Sequence, residues 1–158
     1  MHKHIVRVLG VDPTTRGFAY GLLEGPERLI DWGLVHVLIR TDRNILLRVE
    51  KIFDRTLPEV LVLEDGRGTR RGARAERLID GIEEIANRRK LLVVRVSRSR
   101  VREKFAPAAT KQEIAEGIAR IFPELRSRLP RPRKPWMSED ERMSIFDALS
   151  FAIAALRA

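Results

Sequence analysis

Two hydrophobic periods divide this chain. His4 to Val11 is apolar and rich in β-branched residues until Asp12-Pro13 interrupts it, which predicts a strand. Gly17 to Glu24 and Leu29 to Ile39 repeat the pattern on either side of a turn at Glu24-Gly25-Pro26-Glu27. Connections this short imply antiparallel neighbours, so the three runs predict a meander. The period then changes. Ile45, Leu46, Val49, Ile52 and Phe53 recur at helical spacing and mark an amphipathic helix.

Val60 to Leu63 is continuously apolar and ends in Glu64-Asp65-Gly66, as expected of a strand buried on both faces. A glycine- and arginine-rich loop, Gly66 to Gly72, precedes a helical stripe of Ala75, Leu78, Ile79, Ile82, Ile85 and Ala86. Leu91 to Val96 follows as a second buried strand. A strand–helix–strand unit with a right-handed crossover makes these two strands parallel. Thr110 with Glu113 forms a capping box ahead of Ile114, Ile118, Ile121 and Phe122. Arg126 to Trp136, with its prolines and basic residues, predicts an exposed linker. Ser138 with Glu141 predicts a second capping box, opening a helix that runs nearly to Ala158. The order describes one α/β domain over residues 1–158. Its mixed five-stranded sheet, an antiparallel three-strand meander plus two parallel strands, is flanked by helices.

A length of 158 residues suits one domain with a full core. The absence of cysteine excludes disulfides, zinc fingers, iron–sulfur clusters and thiol nucleophiles. No apolar run approaches the ~18 residues of a membrane span, and the opening MHKHIVRVLG leads straight into a strand. The expectation is a cytoplasmic protein with no signal peptide.

Charge changes the picture more. There are 31 Lys+Arg against 22 Asp+Glu, a net charge of +9, and all but six of the basic residues are arginine. This excess points to a polyanion, nucleic acid first and an anionic membrane surface second. Three basic clusters are expected to follow a phosphate backbone: Arg67, Arg70, Arg71 and Arg74; Arg98, Arg100, Arg102 and Lys104; Arg131, Arg133 and Lys134. Trp136 either stacks on an unpaired base or packs against the last helix. Trp32 belongs to a strand pattern and is expected in the core. His2, His4 and His36 show no metal-ligand spacing.

Three acids fall at chemically informative places. Asp12 ends the first strand and Glu64 the first parallel strand, and open α/β sheets form their sites at such carboxyl ends. If the two strands are neighbours, the carboxylates converge, and repulsion between them calls for a proton or a divalent cation. Asp147 stands in a final helix that is apolar almost all round, where an ionised carboxylate needs a cation or hydrogen-bond donors. An arginine partner would serve equally well. Asp140, seven residues earlier, falls within about 20° of Asp147 around an ideal helix and is a possible fourth acid. Acids in a helix's first turn are also favoured by the macrodipole alone.

The run Val8-Leu9-Gly10-Val11-Asp12-Pro13-Thr14-Thr15-Arg16-Gly17-Phe18-Ala19-Tyr20-Gly21 resembles the opening of the RuvC-type Holliday-junction resolvases. Leu61-Val62-Leu63-Glu64 resembles that family's second acid, and Thr110-Lys111-Gln112-Glu113 its lysine at the start of the penultimate helix. Asp147-Ala148-Leu149-Ser150-Phe151-Ala152 resembles its final acid-bearing helix. The predicted element order also matches the ribonuclease H-like fold of that family.

The resemblance implies a magnesium-dependent endonuclease acting on branched DNA, with Mn²⁺ as a substitute and two ions per site. Asp12, Glu64 and Asp147 would be metal ligands and catalytic residues, and Lys111 would act near the scissile phosphate. A homodimer would suit paired cuts. Two departures stand out. The family's acid three residues before the last one is here Ser144, which leaves Asp140 as a possible substitute. The segment after Glu64 suits phosphate contact more than insertion of an apolar residue into a junction. Alternatives from the residues are a nuclease of this fold acting on ribosomal RNA, flap or mobile-element DNA, or a nucleic-acid-binding module without catalysis.

Overall fold

The computed structural model describes residues 4–66 and 71–157. Strands β1 (Arg7–Pro13), β2 (Gly17–Glu24) and β3 (Leu29–His36) lead into helix α1 (Asp42–Thr56). Strand β4 (Val60–Glu64), helix α2 (Ala73–Arg88) and strand β5 (Leu92–Val96) follow. Helices α3 (Arg98–Phe105) and α4 (Lys111–Ile121), a 3₁₀ segment (Pro123–Arg128) and helix α5 (Met143–Leu156) complete the order.

The sheet runs β3-β2-β1-β4-β5. The β1–β2 and β2–β3 pairs are antiparallel, as the short turns require, and β1–β4 and β4–β5 are parallel. This is a mixed five-stranded α/β sheet of the ribonuclease H-like type. Alternation along the strands gives each face its own core. Leu9, Val11, Leu61 and Leu63 pack with α1 and α2 on one face, and Val8, Val62 and Val96 pack with α3, α4 and α5 on the other.

Two glycines let the second layer sit close. Gly10 of β1 and Gly21 of β2 are register partners. A Cβ on Gly10 would overlap the Ala148 carbonyl oxygen, and one on Gly21 would overlap the Leu149 side chain. The α5 backbone therefore rests directly on the sheet at Ala148-Leu149.

Local signals account for most element ends. Thr41 caps α1 by accepting the Asn44 N–H, and Leu57 closes it in the left-handed conformation ahead of Pro58. The Thr110–Glu113 capping box is present in full.

Several expectations need correction. The first strand begins at Arg7, and the exposed His4 pairs with Glu59 instead. The third strand ends at His36, leaving Leu38 and Ile39 in solvent, because the chain must turn there into α1. β5 is an edge strand rather than a doubly buried one: Leu92 is 63% exposed, and Arg95 pairs with Asp80 and Glu83. Trp32 is only half-buried, packed against the α5-side core. Helix α3 was absent from the pattern because Val101 is its only buried residue, too little for an apolar stripe. The second capping box does not form. α5 starts at Met143, and Glu141 instead accepts a hydrogen bond from the Thr15 hydroxyl and pairs with His36 at 2.9 Å.

Candidate active site

The sheet register brings the first two acids together. Gly10 is paired with Val62, and Asp12 and Glu64 each lie two residues further along their parallel strands, on the same face. That is the face covered by α5, and the close seat at Gly10–Ala148 sets Asp147, the residue before Ala148, against them. The three carboxylates are 3%, 2% and 5% exposed. Carboxylates this buried need cations close by.

The chain supplies those cations itself. Arg71 donates to Asp12 Oδ1 at 3.0 Å, to Glu64 Oε2 and to the Pro13 carbonyl. Arg98 lies between Glu64 Oε1 at 3.0 Å and Asp147 Oδ1 at 3.4 Å. Lys111, the first residue of α4, reaches Asp147 Oδ2 at 3.4 Å and Glu139 Oε1 at 3.2 Å. Pro13 and Ser144 complete the pocket wall with these residues. Burial pushes the Asp12 carboxyl up to about 6; Arg71 and Arg98 offset this in part, while Asp147 and Glu64 add to it.

Asp140 is not brought into the cluster. Residues 138–142 precede the helix, so the helical spacing that aligned Asp140 with Asp147 does not apply. Its carboxylate is held by Arg142 at 2.7 Å, which also lowers its pKa. Glu139 takes the place facing the pocket, a residue the sequence pattern did not single out.

Hard oxygen donors from three elements suit a divalent cation. Among the described residues, however, no group of three or more acids or histidines stands in metal-holding geometry, since the two guanidinium groups lie between the carboxylates. A divalent ion would have to displace these guanidinium groups from the carboxylates.

The basic residues divide. Arg71 and Arg98 serve the acids, and Arg74 donates to the carbonyls of Thr14 and Thr15, bracing the β1–β2 turn. Arg67 and Arg70 lie outside the described residues. Arg100 and Arg102 are exposed on α3, with Lys104 half-buried at its end. Arg131, Arg133 and Lys134 are exposed, and Lys134 Nζ lies 5.4 Å from the ring centroid of Trp136, itself 78% exposed. Trp136 therefore does not pack under the last helix. Among the described residues no helix is long and apolar enough to cross a membrane.

No protein-family model and no curated protein matches the chain. Solved structures do. Thermus thermophilus RuvC in complex with a Holliday junction substrate matches with a TM-score of 0.69 at 19% identity, over 96% of this chain and 93% of that one. The chain has the RuvC-type resolvase fold. A fowlpox virus resolvase solved with Holliday junction DNA matches with a TM-score of 0.59 at 13% identity, covering 96% of this chain and 97% of its own. The yeast mitochondrial Holliday junction resolvase gives 0.57 at 13%, over 97% and 80%. The signal that would have found Arg98 is its position two residues past the predicted strand end at Val96, the register partner of Glu64.

Proposed function

We propose that this protein is a divalent-cation-dependent endonuclease that hydrolyses phosphodiester bonds in branched DNA. The observation that carries the reading is the convergence of Asp12, Glu64 and Asp147, buried on three different elements, with Lys111 beside them. Supporting it are the RuvC-type fold, neighbours solved with junction DNA, and a net charge of +9.

Asp12, Glu64 and Asp147 would hold the cation, Mg²⁺ by preference and Mn²⁺ as a substitute. When bound, such an ion supplies Lewis-acid stabilisation of charge developing on the phosphate oxygens. In the hydrolysis a water oxygen forms a bond to phosphorus, the bond to the 3′-oxygen breaks, and that oxygen leaves with a proton. The ammonium of Lys111, at the mouth of the pocket, offsets charge on the phosphate as it accumulates. Arg71 is placed to exchange its carboxylate contacts for a phosphate. Arg100, Arg102, Arg131, Arg133 and Lys134 would hold the flanking backbone, and Trp136 would stack on an unpaired base. Two symmetric cuts in a four-way junction would require two copies of the chain.

The test is cleavage of a labelled four-way junction, with linear duplex, flap DNA and structured RNA alongside, in Mg²⁺, Mn²⁺ and EDTA. Symmetric nicks on the junction that vanish with EDTA and with Asp12→Asn are expected. Cleavage of RNA or flap DNA instead would change the substrate. Salt-sensitive binding without cutting in either metal would mean a binding module.

A further inference from the structure

Residues 37–41 join β3 to α1, and their tip is the most exposed apolar feature of the described chain. Leu38 is 97% exposed and Ile39 67%. Turn tips ordinarily carry Gly, Asn, Asp, Ser or Pro. A leucine this open to solvent adds no burial energy to folding. The residues on either side nevertheless hold the tip in place. Val37 is buried, and its N–H donates to the Arg16 carbonyl at 2.7 Å. The Asn44 side chain donates to the Ile39 carbonyl at 2.9 Å, and Thr41 caps the helix just behind. Two apolar side chains are thus presented to solvent on a fixed loop, preorganised for contact.

The sheet puts this tip at the acid-bearing end. His36 pairs with Gly17 and Pro13 with Phe18, so residues 37–41 leave the sheet at the end where Asp12 stands. β3 lies two strands from β1, about 10 Å at ordinary strand spacing. A DNA strand with a phosphate over the acids therefore has neighbouring nucleotides within reach of the tip. The surrounding charge fits that partner. Arg40 and Arg43 are exposed with no acidic partner among the described residues, and Asp42 between them is paired with Arg77. Arg16, His36 and Arg40 line a shallow cleft at the foot of the tip. An apolar tip ringed by cations suits a partner that is anionic outside and apolar within, as phosphates and base faces are. A second copy meeting the same tip across a twofold axis would bring like charges together. An anionic membrane offers similar chemistry, but the place beside the acids favours DNA.

We infer that Leu38 and Ile39 form an apolar wedge that enters a DNA branch point and unstacks the bases there, with Arg40 and Arg43 on the flanking phosphates. The inference rests on the branched-DNA reading above and deepens it by naming what selects a branch over continuous duplex. Bases at a branch are more easily unstacked than those inside an unbroken helix, so the same insertion costs less there.

The test reads base stacking rather than turnover. 2-Aminopurine is placed at the branch point of a four-way junction, or within one arm as a control, and its fluorescence is followed as the full chain is added in EDTA. Wild type is expected to raise the branch-point signal about threefold and to leave the arm signal unchanged. Leu38→Ser/Ile39→Ser is expected to melt with wild type and to lose that rise. It should bind the junction about tenfold more weakly and linear duplex within about twofold. Leu38→Met/Ile39→Met keeps an apolar tip and is expected to keep the rise. A folded serine variant that opens the branch as wild type does overturns the inference and leaves the branched-DNA reading standing. Loss of self-association or of binding to phosphatidylglycerol vesicles in that variant, with branch opening intact, overturns it in the same way. Wild type that prefers the junction without unstacking it overturns the wedge alone. Wild type that binds junction and linear duplex equally, with no rise, overturns both. Should the double serine variant fail to fold, Leu38→Ser alone carries the same comparison.

Discussion

Gly10 of β1 lies directly beneath the Ala148 carbonyl of α5, so closely that no side chain fits between them. Asp12 is two residues along the strand from this contact and Asp147 one residue back along the helix, so the spacing of the first and third acids is set by a missing side chain. Gly10→Val is expected to lose about 3 kcal/mol of stability, the upper end of overpacking costs, because backbone must shift. Cleavage should fall further than stability explains at a temperature where the variant is still folded. Thermal melts and cleavage assays at matched folded fraction check this. An equally active, equally stable variant would mean that the helix seat does not set the acid geometry.

Burial holds the Asp12 carboxyl at about 6 in the folded chain, against 3.8 for the ordinary group. Between those values the folded chain carries a proton that the unfolded chain lacks, so this group's contribution to stability declines as pH rises through that window. The charged form at neutral pH therefore costs stability, on the order of 1–3 kcal/mol. In EDTA, Asp12→Asn is expected to melt a few degrees above wild type at pH 7.5, with the gap narrowing toward pH 4.5. Melting curves across that range check it, and a variant destabilised at every pH would contradict it.

Lys111 is half-buried and belongs to neither apolar core, yet its ammonium reaches Asp147 and Glu139. Lys111→Met should leave the melting temperature within a degree or two and lower the single-turnover cleavage rate by about 10²-fold, the scale of losing one charge-stabilising donor. DNA affinity should change much less than rate.

Arg131, Arg133 and Lys134 are exposed on the segment that also carries Trp136. If all three contact phosphates, replacing them with alanine reduces the slope of log affinity against log salt by about 2–3 while leaving stability untouched. Trp136→Ala is expected to weaken binding to DNA with unpaired bases by about 1–3 kcal/mol and to leave fully paired duplex nearly unaffected. Equilibrium binding from low to moderate salt measures both.

Much of this architecture was legible in the sequence because its signals are local and strong. The apolar run at Val60–Leu63, the Asp12-Pro13 stop and the Thr110–Glu113 capping box each appear where the pattern placed them. The acids were legible because strand ends have chemical meaning and a charge in an apolar helix demands a partner. What escaped depends on tertiary partners. Ser138 and Glu141 have the spacing of a capping box, but Glu141 is taken by His36, Thr15 and Arg16 across the fold. Asp140 could be aligned with Asp147 only by assuming a helix that already includes it, whereas α5 starts after it, at Met143. Arg71 and Arg98 read as two more charges in a basic chain, since nothing in a one-dimensional pattern separates an arginine facing solvent from one turned onto buried carboxylates.

Helix α5 touches all five strands and brings the third acid from the far end of the chain to a meander formed at its beginning. Contacts of such sequence separation close late, after loop entropy has been overcome. A polypeptide interrupted before residue 143 could pair β1, β2 and β4 and still have only two of the three carboxylates. The same holds for a chain whose last helix has detached. Completeness of the acid cluster is therefore a report on completeness of folding, and an unfinished or partly opened molecule is left with a basic surface and no assembled centre.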